Sequence, residues 1–249
     1  MPSGLTTFEQ VAAQAAPFAS EKLSNWGSTL VVAPHPDDES LGCGGVIALL
    51  RQQGQMVFVL FVSDGSMSHP NSKRYSPEAR RDLREREATD ALKILGVASA
   101  DIHFLRLPDT RVPVPTSEEF AEAVALVYEQ LERLEPQTVL VPWRRDPHGD
   151  HRATWHLLQA AVARFEMPVR WLEYPIWVWE STQADDLPTT ADGSWLRVDV
   201  SRVLSQKRRA IAAHVSQTTQ LIDDDPEGFV LDLKMIRHFT QPYEYFLKS

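Results

Sequence analysis

The chain has 249 residues, 43% of them hydrophobic, which suits one large α/β domain with a sizeable core and argues against wholesale disorder. Its net charge of −9 argues against a nucleic-acid backbone or an anionic membrane as the main partner, although a local basic site stays compatible with it. Cys43 is the single cysteine, so an intrachain disulfide and a cysteine-based zinc site are excluded, and any metal would be held by histidine and carboxylate.

The first residues carry acidic groups and lack both a basic start and a continuous apolar core, unlike a signal peptide. No apolar run approaches the roughly eighteen residues of a membrane span, so a soluble cytoplasmic protein is expected. Residues 1–28 read as a leading helical segment, with a weakly amphipathic helix over 7–24. Thr29 to Ala33 reads as a strand. Leu41 to Gln53 follows as a helix closed by Gly54. "MVFVLFVSD" is a near-continuous apolar run, typical of a strand covered on both faces. After a polar loop, Ser76-Pro77-Glu78 supplies an N-cap, a proline at the first helical position and an acidic first turn, for a helix running to Leu95 and ending at Gly96.

"IHFLRL" is a third strand. Thr116 to Glu119 opens a helix with Phe120, Val124, Val127, Leu131 and Leu134 on one stripe, closed by Pro136. "TVLVPW" is a fourth strand, the loop "RRDPHGD" follows, and residues 151–165 return to helix. "VRWLEYPIWVW" is a fifth extended run. Alternating strands and helices imply right-handed βαβ units: an α/β fold with a mostly parallel sheet and helices on both faces. Residues 176–249 form an extension of the same single domain (1–249), with a strand "WLRVDV" and a helix near 201–217; the last segment has no clear pattern.

Two polar clusters stand where strands end. His35, Asp37, Asp38 and Glu39 follow the first strand, and Asp146-Pro147-His148-Gly149-Asp150-His151 follows the fourth. Ligands of open parallel sheets bind beyond the carboxyl ends of the strands. If those two strands are neighbours, the clusters face each other. His35 and one aspartate from the first loop, with one histidine from the second, suit a borderline divalent ion such as zinc and leave a position open for water. Adjacent side chains point apart, so one of Asp37 and Asp38 can ligate while the other acts as a base. Each cluster taken alone reads more readily as a solvated loop or helix start; the two together, each after a strand, favour a site.

"PHPDDESLGCGG" and "HGDHRA" resemble the two signatures of the PIG-L/LmbE-like zinc-dependent N-deacetylases, which are Rossmann-like enzymes that remove the acetyl group from N-acetylglucosamine units. Weaker similarities lie in "SDG", in "RERE" with "LGV", in "LPD" at 107–109, in Lys207 with "HVSQ", and in "EYF". The resemblance implies a hydrolase with His35, Asp38 and His151 on Zn2+ (Fe2+ being an alternative), Asp37 as general base and a protonated His148 beside the oxyanion. Arg84 and Asp109 would hold sugar hydroxyls. The implied substrate is a small-molecule amino sugar conjugate, with no nucleic acid or membrane partner; a homo-oligomer stays open. One departure is Gly149, where the family commonly has proline, which leaves the setting of His148 less defined than that of His151.

Other features have plainer readings. "GCGG" echoes a dinucleotide fingerprint, but Ile47 stands where the third glycine should be and the adjacent loop is acidic, so the glycines are read as packing contacts. A nucleotide-binding protein and a non-catalytic sugar-binding relative are the competing functions. Trp143 is placed as a wall of the pocket, and Trp171, Trp177 and Trp179 as packing or a subunit contact. Arg144 and Arg145 read as a solvated loop near the pocket mouth, and Lys207 with His214 as a structural hydrogen-bond network.

Overall fold

Strand β2 (Thr29–Ala33) is buried along its whole length, and so is nearly all of β3 (Val57–Ser63). Side chains alternate across a strand, so each serves two cores. Val31, Ala33, Val59 and Phe61 enter one hydrophobic layer, and Leu30, Val32, Leu60 and Val62 enter the other. Helices α2 (Asp38–Gln52), α3 (Pro77–Leu95) and α6 (Leu204–Ala213) cover the first face through Leu41, Ile47, Leu92 and Ile211. Helices α4 (Phe120–Leu134) and α5 (Gly149–Val162) cover the second through Val127, Leu131, Leu157 and Leu158. This is a computed structural model that describes residues 7–248.

One eight-stranded sheet results, in the order β1-β7-β8-β6-β5-β2-β3-β4. Here β1 is Ala16–Phe18, β4 Ile102–Leu107, β5 Thr138–Pro142, β6 Arg170–Tyr174, β7 Ser194–Asp199 and β8 Tyr243–Lys248. Strand β2 pairs in parallel with both β3 and β5, so the winding reverses between β2 and β5. The two expected strands are therefore neighbours, and the crevice at their carboxyl ends is where such sheets bind ligands. Only β8 runs antiparallel, between β6 and β7.

Several elements differ from the sequence reading. The leading helix is short (α1, Phe8–Gln14), followed by β1 and a 3₁₀ turn over Ser20–Trp26. Pro17 cannot continue a helix, and it takes an edge-strand position instead. The part of that expectation on residues 1–6 lies outside the described residues. Helix α2 begins at Asp38 rather than Leu41, which places two carboxylates in its first turn. The fifth extended run stops as a strand at Tyr174, before Pro175, and Trp177–Trp179 form a 3₁₀ turn. The helix near 201–217 is interrupted at His214, which separates α6 from α7 (Val215–Thr218). A last helix, α8 (Leu233–Phe239), precedes β8. The glycines of α2 are packing contacts. A Cβ on Gly42 would lie 2.4 Å from the Tyr174 ring, and one on Gly45 would lie 2.6 Å from Val200.

Candidate metal centre and its cavity

At the end of β2 the chain turns into α2 through Asp37, whose φ of 143° is unusual for a residue with a side chain. The turn is held by buried contacts. The Asp37 amide donates to Glu39 Oε2 at 3.0 Å. Arg84, from α3, donates through Nη2 to Pro36 O at 2.6 Å and to Asp37 Oδ2 at 3.2 Å. Gly65 leaves room for that guanidinium, since a Cβ there would lie 2.9 Å from Arg84 Nη1. Glu39 Oε1 in turn lies 3.0 Å from His214 Nε2. Although Asp37 is the N-cap of α2, its carboxylate caps no amide, so it stays directed into the cavity with Arg84.

The end of β5 is held locally. Fully buried Asp146 accepts from the His148 amide at 3.0 Å and from the Trp177 amide at 2.9 Å, and its Oδ1 lies 3.3 Å from His151 Nδ1. His148 is the N-cap of α5, and its Nδ1 accepts from the Asp150 amide at 3.2 Å. A Cβ on Gly149 would meet nothing within 4 Å, so glycine answers no steric demand there, and Asp146 and the Asp150 amide fix His148 without the proline.

The two ends meet. Asp38 Oδ2 lies 3.3 Å from His35 Nδ1 and 3.2 Å from His151 Nε2, so one carboxylate oxygen sits between two buried imidazoles. His151 Nε2 is buried and makes no hydrogen bond. Two imidazoles and a carboxylate are a donor set that suits zinc, and an unbonded buried nitrogen aimed at a carboxylate is what a cation would satisfy. Two other groupings bring donor atoms within 4.8 Å: His35, His148 and His151, and His35, Asp109 and Asp150. Some of their donor atoms are already engaged. His148 Nδ1 takes the Asp150 amide, Asp109 accepts from the Met67 amide at 2.7 Å, and Asp150 accepts from the Thr110 amide at 2.7 Å. Asp109 and Asp150 both face His35 Nε2, at 3.3 and 3.2 Å, and so orient its ring as outer carboxylates do for metal-ligating histidines. Asp146 stands in the same relation to His151. The sequence reading gave Asp146, Asp150 and Glu39 no role; their nearness to His35 and His151 in the quoted stretches was the available signal.

Burial pushes the Asp37 carboxyl up to about 6 against the pull of Arg84, which poises it to exchange a proton near neutrality. Burial, with His151 and His35 beside it, pushes His148 down to about 4. That shift favours the neutral imidazole over the protonated one expected from the resemblance. With Nδ1 accepting, the ring proton belongs on Nε2.

The cavity over this centre is lined by His35, Asp37, Asp38, Arg84, Asp109 and His148, together with an apolar wall. Trp143 is not part of it. That residue is fully buried with Phe8 and Trp195, its indole donating to Asp186 O at 2.7 Å. It follows β5 and belongs to that separate apolar cluster, and the tryptophan in the cavity wall is Trp177. Of its sequence neighbours, Trp171 packs on Trp155 and Trp179 on Phe8. Arg145 is bound to Asp192, and Arg144 to Glu173, rather than free in a solvated loop. Lys207 pairs with Glu244, which also accepts from the Gly45 and Val46 amides. Asp64 accepts from the Ser66 amide. Carboxylates occupy the start of α2, where a dinucleotide would place its pyrophosphate.

Fold and centre together define a Rossmann-like α/β protein with a histidine–carboxylate site at the switch point of its sheet. The sequence model of the PIG-L family, described as GlcNAc-PI de-N-acetylase, matches residues 30–162, and the chain belongs to that family. It is 31% identical over 211 residues to diacetylchitobiose deacetylase of Thermococcus kodakarensis, covering 80% of this chain and 73% of that one. It is 26% identical over 199 residues to a probable N-acetyl-α-D-glucosaminyl L-malate deacetylase of Bacillus cereus, covering 78% and 86%. Over a shorter stretch, 54% of this chain and 51% of the other, it is 33% identical to a 4-oxalmesaconate hydratase of Pseudomonas putida. Among solved structures, a conserved protein of Thermus thermophilus superposes with a TM-score of 0.62 at 29% identity, covering 89% of this chain and 94% of that one.

Proposed function

We propose that the protein is a zinc-dependent N-deacetylase that hydrolyses the acetamide of an N-acetylglucosamine-type conjugate to acetate and a free amine. The observation that carries this reading is the pair Asp37 and Asp38. Asp38 lies between the imidazoles of His35 and His151, while Asp37 faces the same cavity with no amide to cap. Family membership and the deacetylase relatives support it. His35, Asp38 and His151 would hold the metal, which supplies Lewis acidity to water and to the amide carbonyl. Fe2+ would suit the same donors.

Asp37 receives the proton of the attacking water on its carboxylate and, being poised near neutrality, passes it to the departing amine. Arg84 keeps that carboxylate in place and Glu39 fixes its backbone. His148 stays neutral and donates from Nε2 to the oxygen on which charge develops. Asp109 borders the cavity, where a sugar hydroxyl would reach it, whereas Arg84, expected to hold hydroxyls too, turns its terminal nitrogens to Gly65 O, Pro36 O and Asp37. The test is elemental analysis of the purified protein, followed by acetate release from N-acetylglucosaminides. One divalent ion per chain and acetate release that stops on chelation are expected. A metal-loaded protein that releases no acetate from any of them overturns the reading.

A further inference from the structure

The cavity has two unlike walls. One is the polar centre. The other consists of Met67, Ile176, Trp177, Phe229, Leu231 and Met235, drawn from three separate segments. This wall is built rather than incidental. The Phe229 amide donates to Ser68 O at 2.6 Å, and the Leu231 amide to Gln217 O at 2.7 Å. Asp225 accepts from the Asn71 amide at 2.7 Å, and Asp224 from the amides of Lys73 and Arg74 at 2.9 and 3.0 Å, so the two loops that carry the wall are stapled together. The Trp177 amide rests on Asp146, the carboxylate that also faces His151. Trp177 stacks beside His148 with ring centroids 6.3 Å apart, and Phe229 lies 5.5 Å from Trp177.

That wall restricts the substrate. Arg84 is the one Lys or Arg among the cavity-lining residues, and its terminal nitrogens are engaged with Gly65 O, Pro36 O and Asp37. An anionic aglycone would meet no cation of its own there and would face Asp37, Asp38 and Asp109. A second sugar would turn hydroxyls against apolar side chains and lose their hydrogen bonds to water. At about 270 Å³ the cavity lies just under the range of about 300–1,000 Å³ that encloses a drug-sized ligand. That is room for one sugar ring and a compact substituent. We infer that the substrate is an amino sugar carrying an apolar alkyl or aryl group, on its glycosidic oxygen or as its N-acyl chain, that packs against Trp177, Phe229 and Leu231. The inference rests on the deacetylase reading for its reaction but not for its binding site.

Binding is tested first, with glucose and its butyl, hexyl and octyl β-glucosides, by calorimetry on the zinc-loaded protein below micelle-forming concentrations. Affinity is expected to rise about fourfold per added methylene until the cavity is full. Phe229→Ala and Trp177→Ala should each flatten that rise. Using two variants covers the case in which one of them fails to fold. Affinity that is flat along the series, or a rise untouched by either variant, overturns the inference. Kinetics then separate the sources, by comparing N-acetylglucosamine with its butyl glycoside and with N-hexanoylglucosamine. A gain of about tenfold or more in kcat/KM in one arm identifies where the apolar group sits. No gain in either arm overturns the inference and leaves deacetylation standing. Chain-length-dependent binding with no amine released from any compound sinks the deacetylase reading alone.

Discussion

After β2 the chain enters α2 through Asp37 at φ 143°; after β5 it enters α5 through His148 at φ −76°, an ordinary extended cap. The first conformation costs about 1–3 kcal/mol and persists only where surrounding structure over-determines it. The surroundings supply this from a distance: Arg84 comes from α3, and His214, from the break between α6 and α7, buttresses Glu39. The second turn is held by Asp146, two residues before His148, and by the Asp150 amide, two residues after it. The difference is instructive about the division of work. The turn that presents Asp37, the proposed base, is strained and braced by the whole fold, whereas the turn that leads to His151, a proposed metal ligand, is made by its own short sequence.

Five substitutions at four positions break or sharpen that contrast. His151→Ala should have the largest effect, because it removes a donor outright: elemental analysis should find little metal, and turnover should vanish. Asp37→Asn leaves the donor set whole. Metal content should stay near that of the parent while kcat falls about 10²–10⁴-fold, the usual contribution of a positioned acid–base group. Near-normal turnover with metal bound would remove Asp37 from the role of base. Asp146→Ala attacks the locally built side. Metal affinity, followed by competition with a chelator, should drop about 10–100-fold, as on losing an outer carboxylate behind a ligating histidine.

The smallest effect should come from Glu39→Gln, which keeps an oxygen for the Asp37 amide but removes the charge facing His214. The backbone hold is a hydrogen bond worth about 0.5–1.5 kcal/mol, so a loss in kcat of up to about tenfold is expected with KM and metal content little changed. Glu39→Ala removes that oxygen as well and should cost more turnover than Glu39→Gln. Equal kinetics in the two variants would show that the Asp37 amide does not depend on this contact.

Much of the parallel half was legible in advance. The strands β2, β3, β4 and β5 are apolar runs closed by prolines, glycines and polar residues, and α3 carries its Ser76 cap and Gly96 stop in plain view, with the Ser76 hydroxyl accepting from the Ala79 amide. These are local signals: each arises from residues within a turn or two of one another. The two polar clusters were legible for the same reason, since each is contiguous and follows a strand. Strand β8 was not legible. Its sequence "YEYFLK" mixes charge with apolar residues, and nothing within it tells that it lies between β6 and β7.

The amino-acid sequence alone determined the fold class, the two polar strand ends and the residue types available to hold a metal, because these follow from short-range patterning and from the handedness of βαβ units. Tertiary structure decided the rest. It selected Trp177 over Trp143 as the aromatic wall, brought Phe229 and Leu231 across the crevice, and turned Arg84 inward onto Asp37. It also pushed the His148 pKa down by burying the ring beside two other histidines. In each case the deciding partner lies far along the chain, and no local pattern records which distant side chain will fill a given space or share a given charge.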